Sequence, residues 1–246
     1  MAVAELVLVR HGESMGNLAA AAANQAGAEV IQVGHRDADV PLSPDGERQS
    51  EALGPALARL LDGRSPTVVW SSPYLRARQT AEIALRSGGV ALPVLVDERL
   101  RDRELGVLDL LTTRGVEARF PEEAARRRWL GKFYHRPPGG ESWADVVLRV
   151  RSFLRDLDDL PDGSRALLVC HDALVVLVRY VCEHLDEAQV LEISATTPVR
   201  NVSLTQLGRT GAGQWELLRF NDVDHLEQQG VAVTQHGGET DGRPRG

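Results

Sequence analysis

Arginine and histidine residues follow three strand-like runs of this chain. Arg10 and His11 follow the first run, Arg76 lies shortly after the second, and His171 follows the third. Guanidinium groups are planar donors that match the non-bridging oxygens of a phosphoryl group, and a neutral imidazole is a competent nucleophile toward phosphorus. Cationic neighbours disfavour the imidazolium form and keep such a histidine neutral. These side chains predict phosphoryl transfer with His11 as the nucleophile, provided that the fold brings them together.

The runs themselves indicate how that happens. Residues 5–9, 67–70 and 166–170 are short, continuous and rich in Val and Leu, which is typical of strands buried on both faces of a parallel sheet. Helical segments follow these strands, so we expect an α/β fold with a mainly parallel central sheet. Ligands of such sheets bind outside the carboxyl ends of the strands, where all three runs deliver their polar residues.

Four helices are indicated by their capping residues and apolar spacing. Ser43-Pro44 and Ser142 each precede a segment with apolar residues at helical spacing, and the segment from Ser142 carries a strong amphipathic pattern. Pro73 suits a first helical position with Ser72 as its cap, and residues 173–182 are apolar over a helical length. Further on, residues 202–207 and 215–220 flank a Gly-Ala-Gly turn and predict a hairpin.

Composition limits the class of protein. The chain has 246 residues, 43% of them hydrophobic, and 28 basic against 35 acidic residues give a net charge of −7, which disfavours broad attraction to nucleic acid or to an anionic membrane. Cys170 and Cys182 lack a Cys-x-x-Cys spacing, so neither a disulfide framework nor a structural zinc site is indicated. The N-terminal apolar stretch is too short for a signal sequence, and no run is long enough to cross a bilayer. We therefore expect a cytoplasmic protein without metal or cofactor, acting on a small phosphorylated substrate.

The chain is expected to form one domain over residues 1–227. Within it, the segment at about 111–141 is predicted to be a partly helical insertion over the site, ending in Pro137-Pro138-Gly139-Gly140. Its arginines are predicted to form a solvated helix surface, with some able to reach a distal anion of the substrate; they are Arg114, Arg119, Arg126, Arg127, Arg128 and Arg136. Residues 228–246 are glycine-rich and polar, which favours a mobile tail.

Several motifs, in this order, make the chain resemble the histidine phosphatase (phosphoglycerate mutase-like) superfamily. Arg10-His11-Gly12 matches the family's hallmark, extended here by Glu13-Ser14 with Asn17 at the family's spacing. Residues 39–49, 71–81, 138–142 and 167–171 resemble further family segments, and together the motifs cover most of residues 5–205. The resemblance implies a three-layer α/β/α sandwich.

The resemblance also implies roles for individual residues. His11 would be the phosphorylated nucleophile, and Arg10, Arg76 and His171 would hold the phosphoryl oxygens. Asn17 would assist them, with Ser14 beside it in the substrate site. The second phosphate arginine of the family falls on Arg76 rather than on Arg78.

The proton donor departs from the family pattern. The family places a glutamate in the segment that here spans residues 98–106, and alignment on Arg99-Leu100 and Gly106 puts Asp102 at that position. Aspartate is shorter by one methylene, so Asp102 must approach the substrate more closely, or else Glu104, on the same face of an extended segment, takes the role. We favour Asp102.

Three functions remain open at this stage. The first is a phosphatase that hydrolyses a phosphomonoester through a phosphohistidine on His11. The second is phosphoglycerate mutase-type phosphoryl transfer, which is disfavoured because the segment after Asp102 and the insertion do not resemble the longer substrate-enclosing regions of the glycolytic mutases. The third is a phospho-ligand-binding protein that has lost turnover, suggested by the aspartate at position 102. Signatures of other phosphate-handling enzymes are not met. Cys170 lacks the arginine six positions on that a cysteine-phosphatase loop requires, and Asp37 and Asp39 lie in a polar loop, without the preceding buried strand expected for an aspartyl nucleophile. The Gly-x-x-x-x-Gly-Lys motif of P-loop nucleotide hydrolases does not occur.

Overall fold

The computed structural model describes residues 3–62 and 66–236. Its strands form one sheet in the order β3-β2-β4-β1-β5-β6. They are β1 (Val3–Arg10), β2 (Thr67–Ser71), β3 (Val94–Val96), β4 (Ser164–Cys170), β5 (Leu204–Arg209) and β6 (Trp215–Asp222). Strands β1 to β4 run parallel to one another, β5 is antiparallel to β1, and β6 is antiparallel to β5. The predicted mainly parallel sheet is confirmed.

Helices cover this sheet. In chain order they are α1 (Met15–Gln25), α2 (Pro44–Leu60), α3 (Leu75–Ser87), α4 (Thr113–Arg119), α5 (Pro121–Tyr134), α6 (Trp143–Asp156), α7 (Asp172–Cys182), α8 (Glu187–Thr196) and α9 (Asp224–Glu227). The Ser43 hydroxyl caps α2, and Ser142 forms a capping box with Asp145 at α6, so both predicted starts agree with the structure. Within the described residues, no helix is long and apolar enough to cross a membrane.

Alternating residues of the central strand β1 separate two hydrophobic cores. Leu6 and Leu8 pack in one core with apolar residues of α6 and α7, whereas Val7 and Val9 pack in the other with residues of α2 and α3. Successive side chains of a strand point to opposite faces of its sheet, so both faces are covered. The molecule is therefore the predicted three-layer α/β/α sandwich.

The register of the parallel strands brings the polar strand ends together. Arg10 lies opposite Cys170, and Ser71 lies opposite Val169. The residues that follow, His11, Ser72 and His171, therefore meet at one edge of the sheet.

The helix after β2 begins later than predicted. The first residue of α3 is Leu75, with Tyr74 in the N-cap position, so the assignment of Ser72 as cap and Pro73 as first helical residue is wrong. The Ser72 hydroxyl instead accepts a hydrogen bond from the Tyr74 backbone N–H and bonds to His171. Short polar side chains often hold such local turns, which compete with helix formation.

The predicted mobile tail needs correction for residues 228–236. Gln49 donates to the Ala232 carbonyl at 3.0 Å, and the backbone N–H of Asn201 donates to the Thr234 carbonyl at 3.1 Å. Gln49 and Asn201 are fully buried, so their hydrogen bonds hold this segment against the body. Its polar composition did not reveal these partners. Residues 237–246 of the predicted tail lie outside the described residues.

Candidate active site

A cavity of about 620 Å³ opens at the carboxyl ends of the parallel strands. The predicted nucleophile His11 and its predicted partners all reach this edge of the sheet. Those lining the cavity are Arg10, His11, Ser14, Asn17, Arg76 and Asp102. His171 lies directly behind them, with its ring centroid 5.1 Å from that of His11.

His11 is buried and held in one orientation by its own backbone. Its Nδ1 lies 2.7 Å from the carbonyl oxygen of Gly12, which identifies Nδ1 as the protonated nitrogen and leaves the Nε2 lone pair free. Burial lowers the pKa of His11 well below its ordinary value, and the neighbouring side chains of Arg76, His171 and Arg10 lower it further. The ring is therefore neutral at physiological pH, as a nucleophile must be.

Gly12 permits this arrangement because α2 passes very close to it. A Cβ atom on Gly12 would lie 2.7 Å from the Gly46 carbonyl oxygen, and one on Gly46 would lie 2.0 Å from the Glu13 carbonyl oxygen. The backbone after β1 contacts the first turn of α2 directly, and this close approach requires glycine at both positions.

Arg10 and Arg76, the two arginines predicted to bind the phosphoryl group, are both buried and are held by different partners. Arg10 donates from Nη1 to the Val199 carbonyl and from Nη2 to the His236 carbonyl, the latter at 3.1 Å. Its buried Nε has no hydrogen-bond partner among the residues that the structure describes. Arg76 lies over the ring of Tyr74, with 4.9 Å from its Cζ to the ring centroid, and pairs with two carboxylates.

One of these carboxylates is Asp102, the predicted proton donor. Its Oδ2 accepts from Arg76 Nη2 at 3.3 Å and lies 3.2 Å from Nδ1 of His171. Burial raises the pKa of Asp102, but the adjacent imidazole and guanidinium favour the carboxylate and hold the pKa well below its usual range. In the empty site Asp102 is therefore ionised.

Glu104, the alternative donor, lies further out. Its side chain is exposed and accepts a hydrogen bond from the Gly106 backbone N–H at 3.3 Å, although it also lines the cavity. Of the two carboxylates, Asp102 is the one in contact with Arg76 and His171.

Ser14 and Asn17 form the N-terminal cap of α1. The Ser14 hydroxyl accepts from the Asn17 backbone N–H, and Asn17 Oδ1 accepts from the Ser14 backbone N–H, both at 3.1 Å. This reciprocal cap uses the side-chain oxygen of Asn17, so its amide nitrogen is left as a donor toward the cavity.

The outer part of the cavity combines apolar walls with acidic groups. Its apolar side chains include Ile31, Val33 and Leu110, and its outer carboxylates are Asp37, Glu104 and Asp109. Burial raises the pKa of Asp109, and the nearby Asp37 carboxylate raises it further. The basic side chains of Arg36, Arg103 and Lys132 also line the cavity, so its walls carry charges of both signs.

The arginine-rich segment contributes little to these walls. Leu111 and Lys132 line the cavity, whereas none of the six arginines between residues 114 and 136 does. Arg119 pairs with Glu29, and Arg136 pairs with Asp145, both on the outside of the molecule. That some of these arginines reach a distal anion of a bound substrate stays a prediction.

Several residues around the site were not predicted. Tyr74 packs edge-on against His171, with 5.2 Å between ring centroids, and burial raises its pKa to about 12, so the phenol is neutral. Asn201 donates to the His11 carbonyl at 2.9 Å, and Glu13 Oε2 lies 2.9 Å from Nε2 of His236. Tyr74 and Glu13 belong to quoted motifs, but no spacing rule marks them as contacts of the site.

Metal ligation finds no support in the cavity. Within residues 3–62 and 66–236, no group of three or more His, Cys, Asp and Glu side chains is arranged to hold a metal ion. The side chains of Cys170 and Cys182 are both buried free thiols, and burial raises their pKa to about 12.

Comparison with known proteins agrees with this geometry. The model of the histidine phosphatase superfamily, branch 1, matches residues 6–223. A 2,3-bisphosphoglycerate-dependent phosphoglycerate mutase of Methylobacterium radiotolerans is 32% identical over 197 residues, which cover 79% of this chain and 86% of the relative. A probable phosphoglycerate mutase GpmB of Escherichia coli is 34% identical over 234 residues, covering 91% and 95%.

Among solved structures, a mycobacterial glucosyl-3-phosphoglycerate phosphatase in complex with VO3 is similar with a TM-score of 0.67 and 28% identity, covering 89% of this chain and 100% of the other. A putative alpha-ribazole-5'-P phosphatase of Escherichia coli has a TM-score of 0.70 at 21% identity, covering 89% and 97%, which is a likeness of fold alone. The similar proteins thus include both mutases and phosphatases by name.

Proposed function

Because the chain belongs to branch 1 of the histidine phosphatase superfamily, we propose that it is a phosphatase that hydrolyses a phosphomonoester through a phosphohistidine on His11. The observation that carries this proposal is the state of the His11 ring. Its Nδ1 is bonded to the Gly12 carbonyl and its pKa is lowered, so a neutral Nε2 faces a cavity lined by Arg10 and Arg76. An unprotonated imidazole beside two guanidinium groups suits attack on a bound phosphoryl group.

The reaction runs in two steps. Nε2 of His11 attacks phosphorus, the bond from phosphorus to the ester oxygen breaks, and protonated Asp102 gives its proton to the departing oxygen. Asp102, now a carboxylate, then takes a proton from water, which attacks the phosphohistidine and releases phosphate. Arg10, Arg76, His171 and Asn17 would hold the phosphoryl oxygens through both steps.

Asp102 must gain its proton when substrate binds. Its pKa is low in the empty site because His171 and Arg76 favour the carboxylate. A dianionic phosphoryl group next to Asp102 competes for those partners and repels the carboxylate, and both effects raise the pKa of Asp102. The Asp102 side chain is 30% exposed, so solvent can supply the proton.

A phosphoglycerate carries a carboxylate besides its phosphate, and a mutase must hold both anions at once. The cavity is lined by the carboxylates of Asp37, Glu104 and Asp109, but also by the cationic side chains of Arg36, Arg103 and Lys132. A second anion could therefore find partners of opposite charge, and the preference for hydrolysis rests on the segment after Asp102 and the insertion, which do not resemble the longer substrate-enclosing regions of the glycolytic mutases.

Mutase activity is the second candidate, favoured by the sequence relatives that are named phosphoglycerate mutases. A phospho-ligand-binding role without turnover is the third. Release of phosphate from a panel of sugar phosphates, nucleotides, phosphoglycerates and p-nitrophenyl phosphate separates the three, with interconversion of 3- and 2-phosphoglycerate followed in parallel.

We expect phosphate release by the wild type, loss of release in His11→Ala, and full release in His35→Ala, which changes an exposed histidine outside the cavity. Acid-labile labelling of the protein by a 32P-ester should likewise need His11. Interconversion of the phosphoglycerates without net phosphate release would establish the mutase instead, and phosphate binding without either reaction would establish the binding protein.

A further inference from the structure

The carboxylate of Asp37 pairs with Arg76, one of the two arginines proposed to bind the phosphoryl group. Arg76 Nη1 donates to Asp37 Oδ1 at 2.9 Å, and Nη2 donates to Oδ2 at 3.3 Å. This fork-to-fork pairing of guanidinium and carboxylate is the arrangement in which arginine also grips two oxygens of a phosphate. In the empty site, Asp37 therefore stands where an anionic ligand would bind.

A phosphoryl group and the Asp37 carboxylate would repel each other if both were bound to Arg76. Both are anions, and they would lie within a few ångströms of each other in a partly buried site, where like charges repel strongly. Asp102 is already a second carboxylate on Nη2 of the same guanidinium, at 3.3 Å. Binding of a dianion thus requires the Asp37 carboxylate to leave.

Asp37 is the partner that is free to move. Its side chain is 40% exposed, whereas that of Arg76 is 6% exposed and stacked on Tyr74. Arg76 Nη1 also donates to the backbone carbonyl of Asp37 at 2.7 Å. Rotation of the Asp37 side chain alone would free both nitrogens from the carboxylate, while the carbonyl still positions the arginine.

We propose that Asp37 is an affinity-determining residue that competes with the phosphoryl group for Arg76 and so weakens the binding of inorganic phosphate. The consequence for catalysis, faster release of the product, rests on the proposed phosphatase function, but the competition itself does not. Asp37 returns to Arg76 as phosphate departs, and product inhibition stays weak.

The test is the dissociation constant of inorganic phosphate, measured by calorimetry on the whole chain. Asp37→Asn keeps the shape of the side chain and removes its charge, and Asp37→Ala removes both. Asp45→Asn is the matched control, because Asp45 is similarly exposed and pairs with Arg48, and neither residue lines the cavity. Thermal unfolding of each variant verifies that it is folded.

We expect both Asp37 variants to bind phosphate at least about tenfold more tightly than the wild type, and Asp45→Asn to stay within about twofold, since Asp37, unlike Asp45, contacts the arginine that would bind the anion. Unchanged or weaker binding in Asp37→Asn and Asp37→Ala overturns the proposal, because Asp37 would then be a support for Arg76. Tighter phosphate binding in a protein that hydrolyses no ester leaves this inference standing and removes the proposed function. If the wild type hydrolyses esters but the Asp37 variants bind phosphate with unchanged affinity, the proposed function stands and this inference is overturned.

Discussion

Oδ2 of Asp102 bridges the two groups that are expected to hold the phosphoryl oxygens, accepting from Arg76 at 3.3 Å and lying 3.2 Å from Nδ1 of His171. Both contacts favour the ionised carboxylate, and the pKa of Asp102 is accordingly well below its usual range. A bound phosphoryl group would compete for the same two partners. Protonation of Asp102 is thereby linked to occupation of the site, since the carboxylate loses its stabilising contacts when the anion gains them.

Asp102→Asn should lower kcat most for esters with a poor leaving group. An alkoxide needs a proton as its bond to phosphorus breaks, so we expect a loss of about 10²–10⁴ for alkyl phosphates. The loss should be much smaller for p-nitrophenyl phosphate, whose leaving group departs without protonation. Steady-state rates with both esters measure the difference.

Glu104→Gln is the matched control for this prediction. It removes a carboxyl group two residues away whose side chain is exposed and contacts the Gly106 backbone N–H. Rates near those of the wild type are expected with both esters. If Glu104→Gln alone is inactive, the proton donor is Glu104.

The sequence predicted the sheet and the strand-end residues because these depend on local patterns. Strands β1 and β4 are buried on both faces and read as continuous apolar runs, and α2 and α6 begin at serine caps. The short edge strand β3 was not predicted, because its three residues are partly or fully exposed and give no periodic signal.

Contacts between distant loops were also beyond the sequence. Asp37 is 39 residues from Arg76, and Arg10 is 226 residues from His236. Arg76 and Arg10 belong to α3 and β1, but Asp37 and His236 lie in segments without a repeating pattern. From the sequence, Asp37 is only an acidic residue of a polar loop. Its position on Arg76 results from the path of an irregular loop, which composition and spacing do not determine.

Ser72→Ala should weaken catalysis through His171. The Ser72 hydroxyl lies 2.8 Å from Nε2 of His171, and both side chains are fully buried, so loss of the hydroxyl leaves the ring without this hydrogen bond. One such bond is worth about 0.5–1.5 kcal/mol, so we expect kcat/KM to fall by about two- to tenfold. The ring resonances of His171, followed by NMR, should shift as well.

Ser71→Ala provides the comparison for Ser72. Ser71 is equally buried at the end of β2, but its hydroxyl donates to the Ser72 carbonyl and contacts no predicted phosphate ligand. It should retain the kinetics and the His171 resonances of the wild type. Equal losses in the two variants would show that packing at the strand end, and not the hydrogen bond, is responsible.

Truncation after Gly230 should both destabilise the protein and impair the site. It removes the carbonyls that accept hydrogen bonds from Gln49 and Arg10, together with Val231, which packs against the core under α2 and α3. Buried donors left without partners cost about 1–3 kcal/mol each, so a clear fall in Tm and weaker phosphate binding are expected.

His236→Ala separates the side chain from the backbone in this segment. The variant keeps the carbonyl that accepts from Arg10 and loses only the imidazole beside Glu13. A smaller fall in Tm than in the truncated protein is expected. An unchanged Tm and unchanged phosphate affinity after truncation would contradict a role for residues 231–236 in the site.

Stability should fall as the pH drops below about 6.5, the ordinary pKa of histidine. Burial lowers the pKa of both His11 and His171, so the folded protein keeps these rings neutral while the unfolded chain takes up protons. Protons bind preferentially to the unfolded state in this window, and the free energy of unfolding decreases by about 1.4 kcal/mol per pH unit for each ring held neutral. Above pH 6.5 the rings are neutral in both states and contribute no slope.

Urea unfolding at pH 7.5, 6.5 and 5.5 should show a shallower dependence of the free energy of unfolding on pH in His11→Gln than in the wild type. His35→Gln, at an exposed histidine, should show the wild-type dependence. A His11→Gln slope equal to that of the wild type would mean that His11 is protonated in the folded protein, which is incompatible with a neutral nucleophile.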